Sequence, residues 1–176
     1  MILILMGVTA SGKTTVGKLL AAETGWQFAE GDDFHSEANR QKMHQGIPLT
    51  DEDRAPWLAS MHDLLLSWYE SGTSGILACS ALKQKYRDAL TDQIPPLSLR
   101  FVWLDVPREE LERRLRNRKG HYMNPNLLQS QLDTLEIPED ALRISDEEDP
   151  RKVVQRILDQ LLVQEGKPSQ QEGLDG

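Results

Sequence analysis

Residues Gly7-Val8-Thr9-Ala10-Ser11-Gly12-Lys13-Thr14 fit the pattern G-x-x-x-x-G-K-[ST], and Thr15 follows directly. These residue types at this spacing suit one task, the holding of a polyphosphate. The glycines let the main chain wrap closely around the phosphates. The N–H groups of the loop, and of the helix that follows, then face negative charge. In that arrangement Lys13 reaches the β- and γ-phosphates and the Thr14 hydroxyl ligates Mg²⁺.

A second constellation is Glu30-Gly31-Asp32-Asp33-Phe34-His35. Two adjacent carboxylates beyond a strand suit phosphoryl transfer. One could hold Mg²⁺, directly or through water, and the other could orient and deprotonate an attacking hydroxyl. Asp33 could equally cap a helix beginning at Phe34. His35 is a candidate hydrogen-bond partner for an acceptor. Arg54, in an acidic turn before Pro56-Trp57, offers a planar two-point donor for a carboxylate, or a surface ion pair. Lys83 and Arg87 lie four apart, on one face if helical, and could bind an anionic acceptor or form a solvated face. Arg113-Arg114-Leu115-Arg116-Asn117-Arg118-Lys119 then gathers cations ahead of Gly120-His121-Tyr122-Met123. Such a cluster before a Gly-containing break suits a mobile lid over phosphates, at about 118–125, with Arg114 and Arg118 stabilising the transferred charge.

The elements that must position these residues are legible from periodicity. Continuous apolar runs at Ile2–Met6, Trp26–Ala29, Gly75–Cys79 and Leu99–Leu104, and a weaker one at Leu142–Ser145, read as buried strands. Helical spacing follows the loop at Val16, Leu19 and Leu20. It returns over Pro56–Tyr69, where Trp57, Met61, Leu64, Leu65 and Trp68 share a face. A third helix runs from Pro107 with Leu111 and Leu115. A last one opens on Asp149-Pro150, a capping residue and a first-turn proline. Strand–helix alternation implies a parallel sheet covered on both sides, with ligands beyond the carboxyl ends of its strands.

The net charge of −8 gives no electrostatic case for binding nucleic acid or an anionic membrane. No apolar stretch approaches the roughly 18 residues of a membrane span. The N-terminal run leads straight into the loop and lacks the basic start of a signal peptide. The single cysteine, Cys79, rules out an intramolecular disulfide. Together these point to the cytoplasm. The expected organisation is a single domain over 1–163. A disordered tail follows over 164–176, with Leu174 as its one large aliphatic residue.

The chain resembles the gluconate kinases of the small P-loop, nucleoside-monophosphate-kinase-like type. The resemblance is carried by G-V-T-A-S-G-K-T (7–14), G-D-D-F-H (31–35), N-R-Q-K-M (39–43), G-I-P-L-T-D-E-D-R-A-P-W-L (46–58), C-S-A-L-K-Q-K-Y-R (79–87) and R-K-G-H-Y (118–122), with Ser130-Gln131-Leu132 and Thr134-Leu135-Glu136 beyond. It implies an α/β, three-layer P-loop kinase fold with a five-stranded parallel sheet and a mobile lid. It implies a homodimer that phosphorylates D-gluconate to 6-phosphogluconate with ATP and Mg²⁺. On this reading Gly7 to Thr15, Arg114 and Arg118 bind the nucleotide. Lys13, Asp32 and Arg118 carry catalysis. Thr14 and Asp33 hold the metal. Asp32, Asp33, His35, Arg54, Lys83 and Arg87 bind the sugar acid. The alternatives are another small-molecule kinase of this fold, acting on shikimate, a nucleoside monophosphate or adenylylsulfate, and a non-catalytic nucleotide-binding protein.

Overall fold

The computed structural model describes residues 1–118, 125–145 and 149–165. The strands are β1 (Ile2–Met6), β2 (Gln27–Glu30), β3 (Gly75–Ala78), β4 (Leu99–Asp105) and β5 (Leu142–Ser145). The helices are α1 (Lys13–Thr24), α2 (Glu37–His44), α3 (Asp51–Ser71), α4 (Gln84–Thr91), α5 (Arg108–Asn117), α6 (Pro125–Thr134) and α7 (Pro150–Glu165), with a 3-10 turn at Gly31–Phe34. The five strands form one sheet in the order β2-β3-β1-β4-β5, and every pairing is parallel.

The apolar run of β1 is buried throughout because helices cover both faces. Side chains alternate across a strand. Ile2, Ile4 and Met6 therefore join Leu77, Trp57, Met61, Leu65 and Leu90 on the α3–α4 side. Leu3 and Leu5 join Ile76, Val102, Val16, Leu20, Val154 and Ile157 on the α1–α7 side. After β1 the chain turns toward β2, and after β4 it turns the other way, toward β5. The two connections part and leave a crevice at the carboxyl ends of the strands, the usual ligand position in such sheets.

The sequence reading of the strands holds to within about one residue. The helix read from Pro56 starts earlier, at Asp51, because Thr50 caps it: the Thr50 hydroxyl accepts from Asp53 N, and the Asp53 carboxylate accepts from Thr50 N. Pro56 sits inside this helix. It withholds the N–H that would bond the Glu52 carbonyl, but Glu52 is exposed and water can serve it. Asp149 caps α7 as expected, its Oδ1 accepting from Arg151 N at 3.0 Å. Helix α7 extends to Glu165, two residues into the segment read as tail. Of the expected lid, residues 119–124 lie outside the described residues, as do 166–176 of the expected tail. No helix among the described residues is long and apolar enough to cross a membrane.

Candidate active site

The phosphate loop leaves β1 at Gly7 and enters α1 at Lys13. Gly7 has φ +148°, and a Cβ there would lie 2.8 Å from Ser11 Oγ and 3.0 Å from the Leu104 carbonyl, so only glycine fits. Gly12 caps α1 in the left-handed region and no side chain caps the helix. The first-turn N–H groups of α1 are thus left for an anion. Lys13 Nζ donates to the carbonyls of Gly7 and Val8, at 2.9 Å each. Burial pushes its pKa down, while the negative charges of Asp32 and Glu30 oppose that shift and Arg118 adds to it. Ser11 Oγ is buried without a partner among the described residues. An orphaned hydroxyl inside a ring of backbone donors fits a phosphate group as the missing acceptor.

Thr14 Oγ1 donates to the Glu30 carboxylate. A hydroxyl and a carboxylate side by side are hard oxygen ligands of the kind Mg²⁺ takes. Among the described residues no three or more His, Cys, Asp or Glu side chains converge as a metal cage. Mg²⁺ usually draws its other ligands from phosphates and water, so the donor set fits it. The carboxylate that the fold brings to Thr14 is Glu30, where the sequence reading had put Asp33. Asp33 lies exposed on the 3-10 turn, and its carbonyl accepts from Arg40 Nη2 at 3.1 Å. It does not cap a helix. Ser36 caps α2 instead, accepting from Asn39 N at 3.1 Å.

Beside the loop opens a cavity of about 510 Å³ lined by Ala10, Gly12, Thr15, Val106, Arg114 and Arg118, among others. Arg114 is tied to the loop itself. Its Nη1 donates to the Ala10 carbonyl at 3.2 Å and its Nε to Glu110 at 2.9 Å. Two of the arginines read as lid cations therefore sit beside the phosphate loop, Arg114 on α5 and Arg118 at the end of that helix. Gln131 of α6 reaches back to the phosphate loop, and its Oε1 accepts from Thr9 N at 2.5 Å.

The acceptor side is built on the turn after β2. Asp32 is exposed, and its charge acts on both Lys13 and His35. The His35 ring is buried and stacks on Trp57, with centroids 4.3 Å apart and an interplanar angle of 11°. Its Nδ1 has no partner among the described residues. Burial pushes its pKa down, Asp32 opposes this, and Arg40 and Arg54 reinforce it. Trp57 Nε1 donates to the Gly31 carbonyl at 2.8 Å, which pins the turn to α3. A Cβ on Gly31 would meet the Ala78 carbonyl at 2.6 Å, so the turn packs directly on β3 only with glycine there.

Arg54 and Lys83 meet at one ring. The Arg54 guanidinium carbon lies 5.4 Å and Lys83 Nζ 5.7 Å from the centroid of Tyr86. Arg87 does not join them. It is buried: Nη1 donates to the carbonyls of Ala81 and Leu82, at 2.7 and 3.2 Å, and Nη2 to that of Glu136 at 3.0 Å. The expected Lys83–Arg87 pair on one helix face is therefore corrected. Lys83 is the residue before α4, not a member of it, and Arg87 turns inward to hold the loop after β3, where Ala81 has φ +46°. His62 contacts the Leu90 carbonyl through Nδ1 at 3.1 Å.

Sequence reasoning passed over four residues of this site. Glu30 stood in the quoted acidic segment but carried no assignment. Tyr86, Gln131 and Asp51 lay inside matched blocks and carried no assignment. The Asp51 carboxyl is held down to about 2, first by the bond from Lys85 and then by the bond from the Tyr86 hydroxyl.

A phosphate loop beneath arginines, a carboxylate facing its lysine and an all-parallel five-stranded sheet define a P-loop kinase. Residues 2–138 match the family described as AAA domain. The gluconokinase of Gluconobacter oxydans strain 621H is 47% identical over 160 residues, covering 89% of this chain and 88% of that protein. A solved sugar kinase from Janibacter sp. HTCC2649 superposes with a TM-score of 0.82 at 44% identity, over 92% of this chain and 94% of that one. A solved gluconokinase from Sinorhizobium meliloti 1021 does so with a TM-score of 0.79 at 38% identity, over 92% and 95%. The chain belongs to the gluconokinase family. Shikimate kinase from Aquifex aeolicus, at 20% identity and a TM-score of 0.61, shares the fold alone.

Proposed function

We propose that this protein transfers the γ-phosphoryl group of ATP to the 6-hydroxyl of D-gluconate. The observation that carries the reading is the place of Asp32, on the turn after β2 at the end of the sheet where the phosphate loop leaves β1, with His35 next along the same turn stacked on Trp57. A hydroxyl held against Asp32 lies beside the phosphate that Lys13 binds.

The hydroxyl oxygen forms the new bond to the γ-phosphorus as the bond to the β–γ bridging oxygen breaks. Asp32 takes the hydroxyl proton, and ADP leaves with the bridging oxygen. Lys13, Ser11 and the N–H groups of the loop hold the phosphates. Arg114 and Arg118 stabilise the charge of the transferred group. Thr14 and Glu30 would hold Mg²⁺, which when bound neutralises charge on the β- and γ-phosphates. The sugar-acid carboxylate pairs with Arg54 and Lys83, whose positive charges flank Tyr86. Asp33 and His35 face the hydroxyls. Arg87 contributes indirectly, by holding the loop that carries Lys83. Closure of the segment around 118–125 excludes water that would compete for the phosphoryl group. The homodimer and the cytoplasmic setting belong to the same reading; the first rests on the family resemblance, the second on the composition and the single cysteine. Sedimentation at twice the chain mass supports the dimer, and sedimentation at one chain mass overturns it.

The test is ADP release with ATP and Mg²⁺ in the presence of D-gluconate, shikimate, AMP or no acceptor, with Lys13→Ala as the control. Release that depends on gluconate and falls by about 10²-fold or more in the variant supports the reading. Release with another acceptor overturns the substrate. ATP binding without acceptor-dependent release overturns the reaction.

A further inference from the structure

Tyr86 has no place in the chemistry of phosphoryl transfer, yet it sits where α3 and α4 meet and touches every charge of the acceptor's cationic corner. It is buried, and its hydroxyl makes two bonds of opposite sense. The O–H donates to Asp51 Oδ1 at 2.7 Å, and the oxygen accepts from Arg54 Nη1 at 3.0 Å. A phenol has one proton to give. With that proton committed to Asp51, only lone pairs face Arg54, so the arginine is held as a donor and cannot be displaced by the phenol's own proton. The phenol stays protonated well past neutrality, because burial and the Asp51 carboxylate both push its pKa up.

Asp51 also accepts from Lys85, and among the described residues no carboxylate lies within ion-pair distance of Arg54. The ring carries Arg54, Lys83 and Lys85 within 5.4 to 5.7 Å of its centroid. Among the described residues, the bond to Tyr86 is the one side-chain hydrogen bond that Arg54 makes. The rest of its planar fork is left for a ligand. Arg54 stands one turn before Trp57 on α3, and His35 stacks on Trp57, so the fork stands on the His35 side of the site.

We propose that Tyr86 is a positioning residue for acceptor recognition: through the relay Asp51–Tyr86–Arg54 it fixes the guanidinium in the orientation that grips the acceptor's carboxylate. The inference rests on the reading of Arg54 as a carboxylate-binding residue. An arginine on a free stem loses rotamer entropy when it binds, and a tethered one has lost it already. The tether therefore favours binding of an anionic acceptor and leaves the transfer step alone.

Tyr86→Phe keeps the ring and its cation-facing surface and removes the hydroxyl. The KM for D-gluconate should rise about tenfold, the scale of one hydrogen bond to a charged group, with kcat within about twofold and the KM for ATP unchanged. In an Arg54→Ala background the same change should add nothing, because the group it orients is gone. Asp51→Asn, at an exposed position, weakens the relay without touching the core and should raise the gluconate KM in the same direction. It serves as the second variant if Tyr86→Phe fails to fold. An unchanged gluconate KM in Tyr86→Phe, with a raised one in Arg54→Ala, overturns the relay and leaves Arg54 as the carboxylate site. So does an effect that adds fully to that of Arg54→Ala, or a rise in both KM values with a fall in thermal stability, which marks a merely structural role. An unchanged gluconate KM in Arg54→Ala overturns the underlying reading itself.

Discussion

The imidazole of His35 stacks on the indole of Trp57 with ring centroids 4.3 Å apart, and the same indole donates through Nε1 to the Gly31 carbonyl at 2.8 Å. One side chain of α3 thus holds both ends of the turn that presents Asp32. Trp57→Phe keeps an aromatic surface for the stack and removes the donor. A buried carbonyl then loses its partner, and the fold should lose roughly 1–3 kcal/mol. Urea unfolding checks this. An unchanged midpoint would mean that water replaces the indole and that the turn is held by other contacts.

The buried, neutral state of His35 makes stability depend on pH. Its folded pKa lies below the ordinary value of about 6.5, chiefly because burial disfavours the charged ring. Between the folded pKa and about 6.5 the unfolded chain binds the proton and the folded one does not. Stability from this group is therefore present above about pH 6.5 and declines as the pH falls through the folded pKa. The melting temperature should drop from pH 8 to pH 5.5, and His35→Gln should lessen the drop. An equal drop in the variant would assign the acid sensitivity to other groups.

Glu30 and Asp33 make different demands on the metal. Glu30 shares a hydrogen bond with Thr14, while Asp33 is exposed on the turn. Glu30→Gln should raise the Mg²⁺ concentration for half-maximal turnover about tenfold, the scale seen for groups that orient a metal's ligands. Asp33→Asn should leave it within about twofold. The reverse ranking would return the metal role to Asp33.

Cys79 lies behind the phosphate loop and is buried, and burial pushes its thiol up to about 12. So little thiolate forms near neutral pH that the folded protein should resist disulfide reagents at pH 8. Full labelling should appear only in denaturant. Rapid labelling of the native protein would show that the strand end opens.

Much of the fold was readable because it is encoded locally. Ile2–Met6 is apolar at every position, which only a strand covered on both faces requires, and Gly7 and Gly12 flank a loop that side chains would block. The expectation that Asp32 lies at the same end of the sheet as the phosphate loop follows from strand–helix alternation, since parallel strands β1 and β2 finish at one end. The sequence reading failed where the outcome depended on what packs against a residue. Arg87 was read by its spacing from Lys83. The spacing says nothing of the Ala81, Leu82 and Glu136 carbonyls, which only the packed loop gathers around it.

What the sequence by itself determined is therefore the five strands, the helices α1, α3, α5 and α7, and the phosphate loop, because burial pattern and glycine conformational freedom act over a few residues. The tertiary structure alone decided the strand order β2-β3-β1-β4-β5, and with it the meetings of Thr14 with Glu30, Arg54 with Tyr86, and Thr9 with Gln131. Those pairs are 16, 32 and 122 residues apart. No local pattern selects them, because they form only once crossover connections have brought distant elements to the same end of the sheet and the shared core has fixed their distances.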